Sequence, residues 1–417
     1  MAMTDPRQVA VIGAGVVGIC CARVLQRQGH RVTVFDPEKP GSGASFGNAG
    51  HIALDHIRPL ARLDILARVP RMLADPLGPL SIRWRDAAVL APWLVRFAFA
   101  ARPAQVARGT AALADLLRGS AAAWAEEMRG SNLVGLFRAK GALVVYNSER
   151  GFQAAAAERA LLRAHGIEVE TMEGDAARAL APGLDASIRA ATYFPAAQHV
   201  GDPHGLVVGL AESFSRDGGR IERLAVTGFE LADGAVRAVT TPAGALPADA
   251  VVLAAGLASR RFGPLLSLNL PLVDERGYHV MIEPAGARFE VPVTWGERGF
   301  VLTPMEAGIR LAGTVELAAP GAPPSWPRAE LLTRQAKLLF PGLTGRETSR
   351  WMGMRPTLPD YLPVIGRAPR QRNLYFALGH QHIGLTTAAA TARLIGDLVA
   401  GRPTTIDISA FAADRFT

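Results

Sequence analysis

Near the N-terminus, Val9-Ala10-Val11-Ile12 is an unbroken apolar run of strand length, the mark of a strand buried on both faces. Gly13 to Gly18 follow as a turn, and Ile19 to Gln28 carry helical spacing up to Gly29. Arg31 to Phe35 then alternate as a second strand, with Asp36 at its end. The same grammar returns past the middle of the chain. Gly205 to Arg216 reads as a helix closed by Asp217-Gly218-Gly219, and Ile221 to Val226 as a strand. Asp233-Gly234 and Pro242-Ala243-Gly244 signal hairpin turns, and Val251 to Gly256 is another buried strand ending in glycine. A third stretch has a strand at Leu374 to Leu378, a glycine turn and a helix from Leu385 to Val399.

Between these stretches the pattern changes. Residues 56–165 are mostly helical and alanine-rich, whereas 270–317 are strand-like, with alternation in Tyr278 to Ile282 and a hairpin at Glu306-Ala307-Gly308. Pro320 to Pro327 is a proline-rich loop, and no internal repeat appears. A chain of 417 residues exceeds what one core organises. The interleaving predicts an α/β protein. Residues 1–55, 200–265 and 350–417 would form a Rossmann-type domain. An α+β domain on a mixed or antiparallel sheet would be inserted as 56–199 and 266–349.

Composition narrows the class. With 49% hydrophobic and 20% charged residues, the chain is neither disordered nor fibrous. Its net charge of +8 comes from arginine, since Lys39, Lys140 and Lys337 are the only lysines. The densest patch, Arg83, Arg85, Arg96, Arg102 and Arg108, lacks an aromatic ladder for stacking bases. The expectation is therefore no nucleic acid, but an attraction for anionic substrates or an anionic membrane surface. Cys20 and Cys21 are adjacent in the first helix without other cysteines, which excludes a disulfide framework or a metal cluster and fits a reducing, cytoplasmic compartment. No secretory signal is visible. The longest apolar stretch, Ala87 to Ala101, is broken by Pro92 and Arg96 and is too short to span a bilayer. Its Trp93, Leu94, Phe97 and Phe99 leave peripheral membrane contact open, although packing on the protein's own core is commoner for such a helix.

The chemistry begins at Gly13-Ala14-Gly15-Val16-Val17-Gly18, a G-x-G-x-x-G motif with a strand before it, a helix after it and Asp36 about twenty residues on. Gly13 permits a tight turn, Gly15 lets backbone approach a pyrophosphate, and Gly18 allows close helix–strand packing. Val16 and Val17 open the helix whose N–H groups and dipole favour phosphate, and Asp36 suits a ribose hydroxyl. The motif alone does not separate NAD from FAD. The loop Gly41-Ser42-Gly43-Ala44-Ser45-Phe46-Gly47-Asn48-Ala49-Gly50-His51 does more, because so many small residues let backbone lie against a bulky planar ligand.

With that loop the sequence resembles the D-amino-acid oxidase-like FAD superfamily, which includes glycine oxidase, sarcosine oxidase and bacterial D-amino-acid dehydrogenase. The resemblance spans nearly the whole chain. It continues through Val251 to Gly256, Gly353-Met354-Arg355-Pro356-Thr357-Leu358-Pro359-Asp360, Pro363-Val364-Ile365-Gly366 and Ala377 to Thr386. It implies a glutathione-reductase-like FAD domain, with cofactor contacts also from Ser45, Asn48, Ala49, Gly50, Val226, Ala255, Gly256, Gly379, Gly384, Leu385 and Thr386. It further implies that Arg355 grips a substrate carboxylate, a fit supported by the two-pronged geometry of guanidinium. Tyr278 would place an aromatic hydroxyl near the substrate, and His51 and His382 would line the pocket.

The implied reaction is hydride transfer from the carbon bearing the amine to flavin N5, giving an imine, with no general base required. The wording of the loop is most similar to D-amino-acid dehydrogenases, including those acting on cyclic substrates such as D-proline or cis-4-hydroxy-D-proline. The resembled sarcosine oxidases use a lysine for oxygen activation and a cysteinyl-linked flavin. This chain has no lysine between Lys140 and Lys337 and no cysteine after Cys21. Noncovalent FAD and a quinone or protein electron acceptor are therefore expected. The alternatives are a glycine- or sarcosine-type oxidase using oxygen, an FAD-dependent tRNA-modification enzyme, and a noncatalytic flavin subunit.

Overall fold

The computed structural model describes residues 6–75 and 78–417. The apolar run at the N-terminus becomes the strand Gln8–Ile12, in the middle of a six-stranded sheet. Arg31–Phe35 and then Arg220–Glu222 lie on one side of it, and Ala250–Leu253, Leu374–Leu378 and Val364–Arg367 on the other. Every neighbouring pair is parallel except the last. Val9 and Val11 face the helices Val16–Arg27, Pro203–Arg216 and Gly384–Val399, while Ala10 and Ile12 pack toward Val236, Val239 and Phe262 under a three-stranded meander. Both faces are covered, which explains a strand without polar alternation.

The expected strand from Ile221 to Val226 stops at Glu222. Beyond it the backbone leaves the parallel sheet. The Val226 carbonyl accepts from Arg261, and Thr227 N–H donates to Thr240 in the meander.

A ten-stranded mixed sheet forms the second body, organised around the long strand Val273–Ile282. This strand pairs antiparallel with Gly308–Ala312, Val315–Leu317 and Glu347–Thr357. Residues 350–357, expected in the nucleotide-binding part, therefore run in this sheet. One face of the sheet packs Tyr278, Val280, Ile282 and Leu311 against the helix Pro327–Leu339. The opposite face turns toward the loop after Arg31–Phe35. A small sheet of His51–Ile52, Gln198–Val200 and Phe137–Arg138 joins the two bodies. Among the described residues no helix is long and apolar enough to cross a membrane.

Candidate active site

The glycine turn is built by contact as much as by conformation. Gly13 has φ +111°, and a Cβ there would lie 2.4 Å from the Ala254 carbonyl oxygen. A Cβ on Gly18 would lie 1.9 Å from the Gly13 oxygen. At Gly15 the same test meets only Ser45 Oγ, at 3.3 Å. Gly13 and Gly18 thus serve packing, and Gly15 keeps open the space in front of the helix. That helix has no side-chain cap, although Val16 N–H donates to Ser45 Oγ at 3.0 Å. The Asp36 carboxylate accepts from Ala14 N–H at 2.8 Å and from Glu38 N–H at 2.9 Å, which fixes it at the strand end. Each carboxylate oxygen retains a lone pair for a ribose hydroxyl.

The small-residue loop is tied down at both ends. Gly41 N–H donates to Ala14, and Asn48 Oδ1 accepts from Gly50 N–H at 2.8 Å. Gly47 cannot carry a side chain, because a Cβ would fall 2.0 Å from the ring of Trp351. Ala49 lies between these two anchored turns. Thr386 Oγ accepts from Ala53 N–H at 3.1 Å and donates to the His51 carbonyl at 3.2 Å, which docks the helix Gly384–Val399 against the loop. Trp124 Nε1 holds the carbonyls of Leu385 and Thr386, while the start of this helix also lacks a side-chain cap. Gly379 (φ +76°) packs on Leu358, and Ala255-Gly256 ends the strand that touches Gly13. Val226 is buried behind Arg261. An open glycine turn, uncapped helix starts and an anchored acid are what a dinucleotide requires.

The substrate side follows from the alternation of Val273–Ile282. Side chains two apart share a face, and residues directly opposite on a neighbouring strand share it too. Glu275, Gly277 and His279 are therefore on one face with their partners Arg355, Gly353 and Trp351. Arg355 Nη1 donates to Glu275 Oε1 at 3.1 Å and to the Thr314 carbonyl at 3.4 Å. The other Glu275 oxygen accepts from the Tyr361 hydroxyl at 2.7 Å. A Cβ on Gly277 would sit 2.2 Å from Arg355 Nη2, so the guanidinium lies directly over this glycine. Arg355 keeps 23% of its side chain exposed against 2% for Glu275. One edge is anchored and the other is available.

Around it the histidines are neutral. Burial, reinforced by His56 and Arg355, holds His382 well below the usual imidazole range, and its ring is 5.1 Å from that of His56. His51 is lowered to about 3 by burial and by His56 and His199, and its Nε2 is buried without a hydrogen-bond partner among the described residues. His279 is lowered to about 4 by burial and then Arg310. It stacks on Trp351 at 5.2 Å, and its Nδ1 lies 3.2 Å from the Gly47 carbonyl, which assigns the proton to Nδ1. Arg310 is pushed down to about 10 by burial. It donates to the Asn48 carbonyl and lies 3.3 Å from Met281 Sδ. Tyr361 and Gln381 are two non-glycine residues at positive φ, 58° and 43°, and the Gln381 amide donates to the Tyr361 carbonyl. Strain of this kind concentrates at functional sites.

The sequence profile of the family described as FAD dependent oxidoreductase matches residues 8–398. This chain belongs to that family. The D-amino-acid oxidase of Bradyrhizobium diazoefficiens is 34% identical, over 99% of this chain and 100% of that protein. The D-amino acid dehydrogenase of Paramagnetospirillum magneticum is 32% identical, over 98% and 99%. Glycine oxidase from Geobacillus kaustophilus superposes with a TM-score of 0.76 at 24% identity, covering 99% of each chain. L-proline dehydrogenase from P. horikoshii gives 0.78 at 19%, covering 99% of this chain and 98% of that one. These two structures speak for the fold alone.

As a member of this family the chain is an FAD-dependent oxidoreductase, and the glycine turn with its loop and two helix starts is where FAD fits. Of the residues expected to meet substrate, Arg355, His382 and, by way of His56, His51 are brought together. Tyr278 is not. It points to the opposite face of its strand, where its hydroxyl donates to Glu316 Oε2 at 2.6 Å and accepts from Ser325 N–H at 2.7 Å. Burial first, then Glu316, pushes its pKa up to about 12. Period two separates it from Arg355. The residues missed in its place are Glu275, Gly277, His279 and Tyr361. Period two groups the first three once the face of Arg355 is known, but nothing local pointed to Tyr361.

Proposed function

We propose that this enzyme oxidises a small D-amino acid at the carbon bearing the amine. The single observation that carries the reading is Arg355, seated over Gly277 and braced by Glu275, with a free edge shaped for a carboxylate. The full-length likeness to proteins named D-amino-acid oxidase and D-amino acid dehydrogenase supplies the substrate class.

Bound FAD, held without a covalent link, supplies the hydride acceptor. The protein's part is orientation. Arg355 fixes the carboxylate, and Glu275 with Tyr361 keeps the guanidinium from swinging toward the bulk. His382 and His51, held neutral by burial, add no positive charge to repel a substrate ammonium and offer lone pairs to it. Desolvation there favours the uncharged amine, the form that reacts. The imine product is released to water and hydrolyses to a keto acid and ammonia, while a cyclic substrate such as D-proline or cis-4-hydroxy-D-proline leaves a ring-closed imine. A quinone or a protein would serve as the electron acceptor that reoxidises the flavin. A second reading, direct use of oxygen, is favoured by the name of the relative from Bradyrhizobium.

Anaerobic bleaching of the bound flavin against a panel of D- and L-amino acids, including proline and cis-4-hydroxyproline, tests the substrate class. Bleaching by D-isomers is expected. Bleaching by L-isomers alone would overturn it. Dye reduction much faster than peroxide formation in air would separate dehydrogenase from oxidase.

A further inference from the structure

The helix Ala87–Ala100 is apolar on both of its sides. Leu90, Trp93 and Phe97 are buried in a core cluster with Ala61 and Tyr361. On the other side Val89, Pro92, Val95 and Phe99 face solvent, with small alanines between them and Arg96 as the helix's single charge. With about 3.6 residues per turn, these exposed positions form one continuous half of the helix. Val89 is 60% exposed, Val95 54% and Phe99 56%, and Trp84, just before the helix, is 70% exposed. A helix hydrophobic all round is ordinarily covered all round. An exposed contiguous apolar face marks an interaction site.

We propose that this face seats the enzyme on an anionic lipid surface. The charges around it decide between occupants. From Trp84 to Arg108 the exposed charged residues are Arg85, Arg96, Arg102 and Arg108, whereas Asp86 is held by Arg83 and by the Ala319 N–H. The Arg102 guanidinium lies over the Phe99 ring, 4.7 Å from its centroid, so a positive charge borders the apolar face where headgroups would meet it. A second copy of this chain would bring a second set of the same arginines into one contact, adding like charge along a stretch from Trp84 to Arg108 whose exposed charges are all basic. An anionic bilayer matches both the apolar stripe and its basic border. With 14 residues the helix lies in the interface and does not cross it.

The position bears on function. Phe97, on the inner side of the same helix, meets Tyr361 edge-on at 5.8 Å, and Tyr361 bonds to the Glu275 that braces Arg355. Lipid contact would set the candidate substrate anchor about one helix diameter, ~10 Å, beneath the surface. An acceptor dissolved in the bilayer would then be close at hand.

The test is co-sedimentation of FAD-loaded protein with vesicles, without substrate, so that its outcome is separate from the proposed reaction. Wild type is expected to pellet with vesicles of equal parts phosphatidylcholine and phosphatidylglycerol, and not with phosphatidylcholine alone. Val95→Ser combined with Phe99→Ser should weaken binding at least ~10-fold by removing apolar contact. Arg96→Gln and Arg102→Gln should each weaken it about fivefold. Flavin content and dye-linked turnover without vesicles should not change. Failure of wild type to bind anionic vesicles, or binding indifferent to the Val95/Phe99 pair, would overturn the proposal. So would a wild-type dimer in sedimentation velocity that the same pair dissociates, which would make the face a subunit contact.

Discussion

The strand Val273–Ile282 carries a buried arginine–carboxylate–tyrosine cluster on each of its faces, and the two have opposite fates. On the back, Arg276 donates to Asp274 at 3.1 Å and to the carbonyls of Ala319 and Pro323, while Tyr278 closes the group through Glu316 and Ser325. Arg276 and Asp274 are each 1% exposed, and little donor capacity remains. On the front, Arg355, Glu275 and Tyr361 repeat the same residue types, but the arginine is part open and has an unused edge. Residue type does not make a site. Spare hydrogen-bonding capacity on a part-exposed group does.

The largest effect expected is on the back face. Arg276→Met would strand two buried carboxylates, and breaking such a network costs on the order of 3–5 kcal/mol. Denaturant unfolding should show this loss. A near-neutral result would mean that the back cluster is no more committed to structure than the front one.

Gly277→Ala is the next largest and acts on the front face alone. The added methyl falls within the space of Arg355 Nη2, and overpacking of this sort costs roughly 1–3 kcal/mol. Because the flexible end of Arg355 is what must move, the loss should appear mainly as a raised KM, about tenfold or more, with FAD content unchanged. Steady-state kinetics beside the flavin absorbance ratio checks this. An unaltered KM would show that the position of the guanidinium is not used.

A smaller effect comes from pH. His51, His279, His199 and His380 have folded-state values lowered to about 3, 4, 4 and 3, each chiefly by burial. Above the unfolded value of about 6.5 neither state binds these protons, so stability is flat there. As pH falls below it, the unfolded chain takes up protons that the folded chain refuses, and stability declines until the folded values near 3–4 are reached. The slope per fully differing histidine is about 1.4 kcal/mol per pH unit at most. Tm measured from pH 7 to pH 4.5 should fall steadily. A flat profile would contradict the buried, neutral histidines of the front face.

The glycine turn was readable because backbone geometry dictates it: Gly13 and Gly18 admit no side chain, and such constraints leave a local imprint. The substrate side left less. Every residue of Val273–Ile282 is buried, so both faces of the strand are covered and the pattern does not tell which face meets substrate. The expectation of Tyr278 near the substrate comes from the family resemblance, and nothing in this local pattern shows that it faces away from Gly277 and His279. Tyr361 acts on Glu275 across a separation of 86 residues, a contact only the fold creates. The helix Ala87–Ala100 held a similar ambiguity, since its composition is compatible with core and with membrane, and the structure buries Trp93 while leaving Phe99 exposed.

The most direct test of the central claim compares wild type with Arg355→Ala in anaerobic flavin reduction, using a D-amino acid and the amine that lacks its carboxylate. If the open edge of Arg355 holds the carboxylate, capture of the amino acid should weaken by roughly a hundredfold or more, from the ~3–5 kcal/mol lost when a buried charge pair is broken. Arg355→Lys should recover part of this, because an ammonium cannot reproduce the two-pronged contact. Reduction by the decarboxylated amine should barely change, and FAD should stay bound. Amino-acid reduction left intact in Arg355→Ala would contradict the assignment.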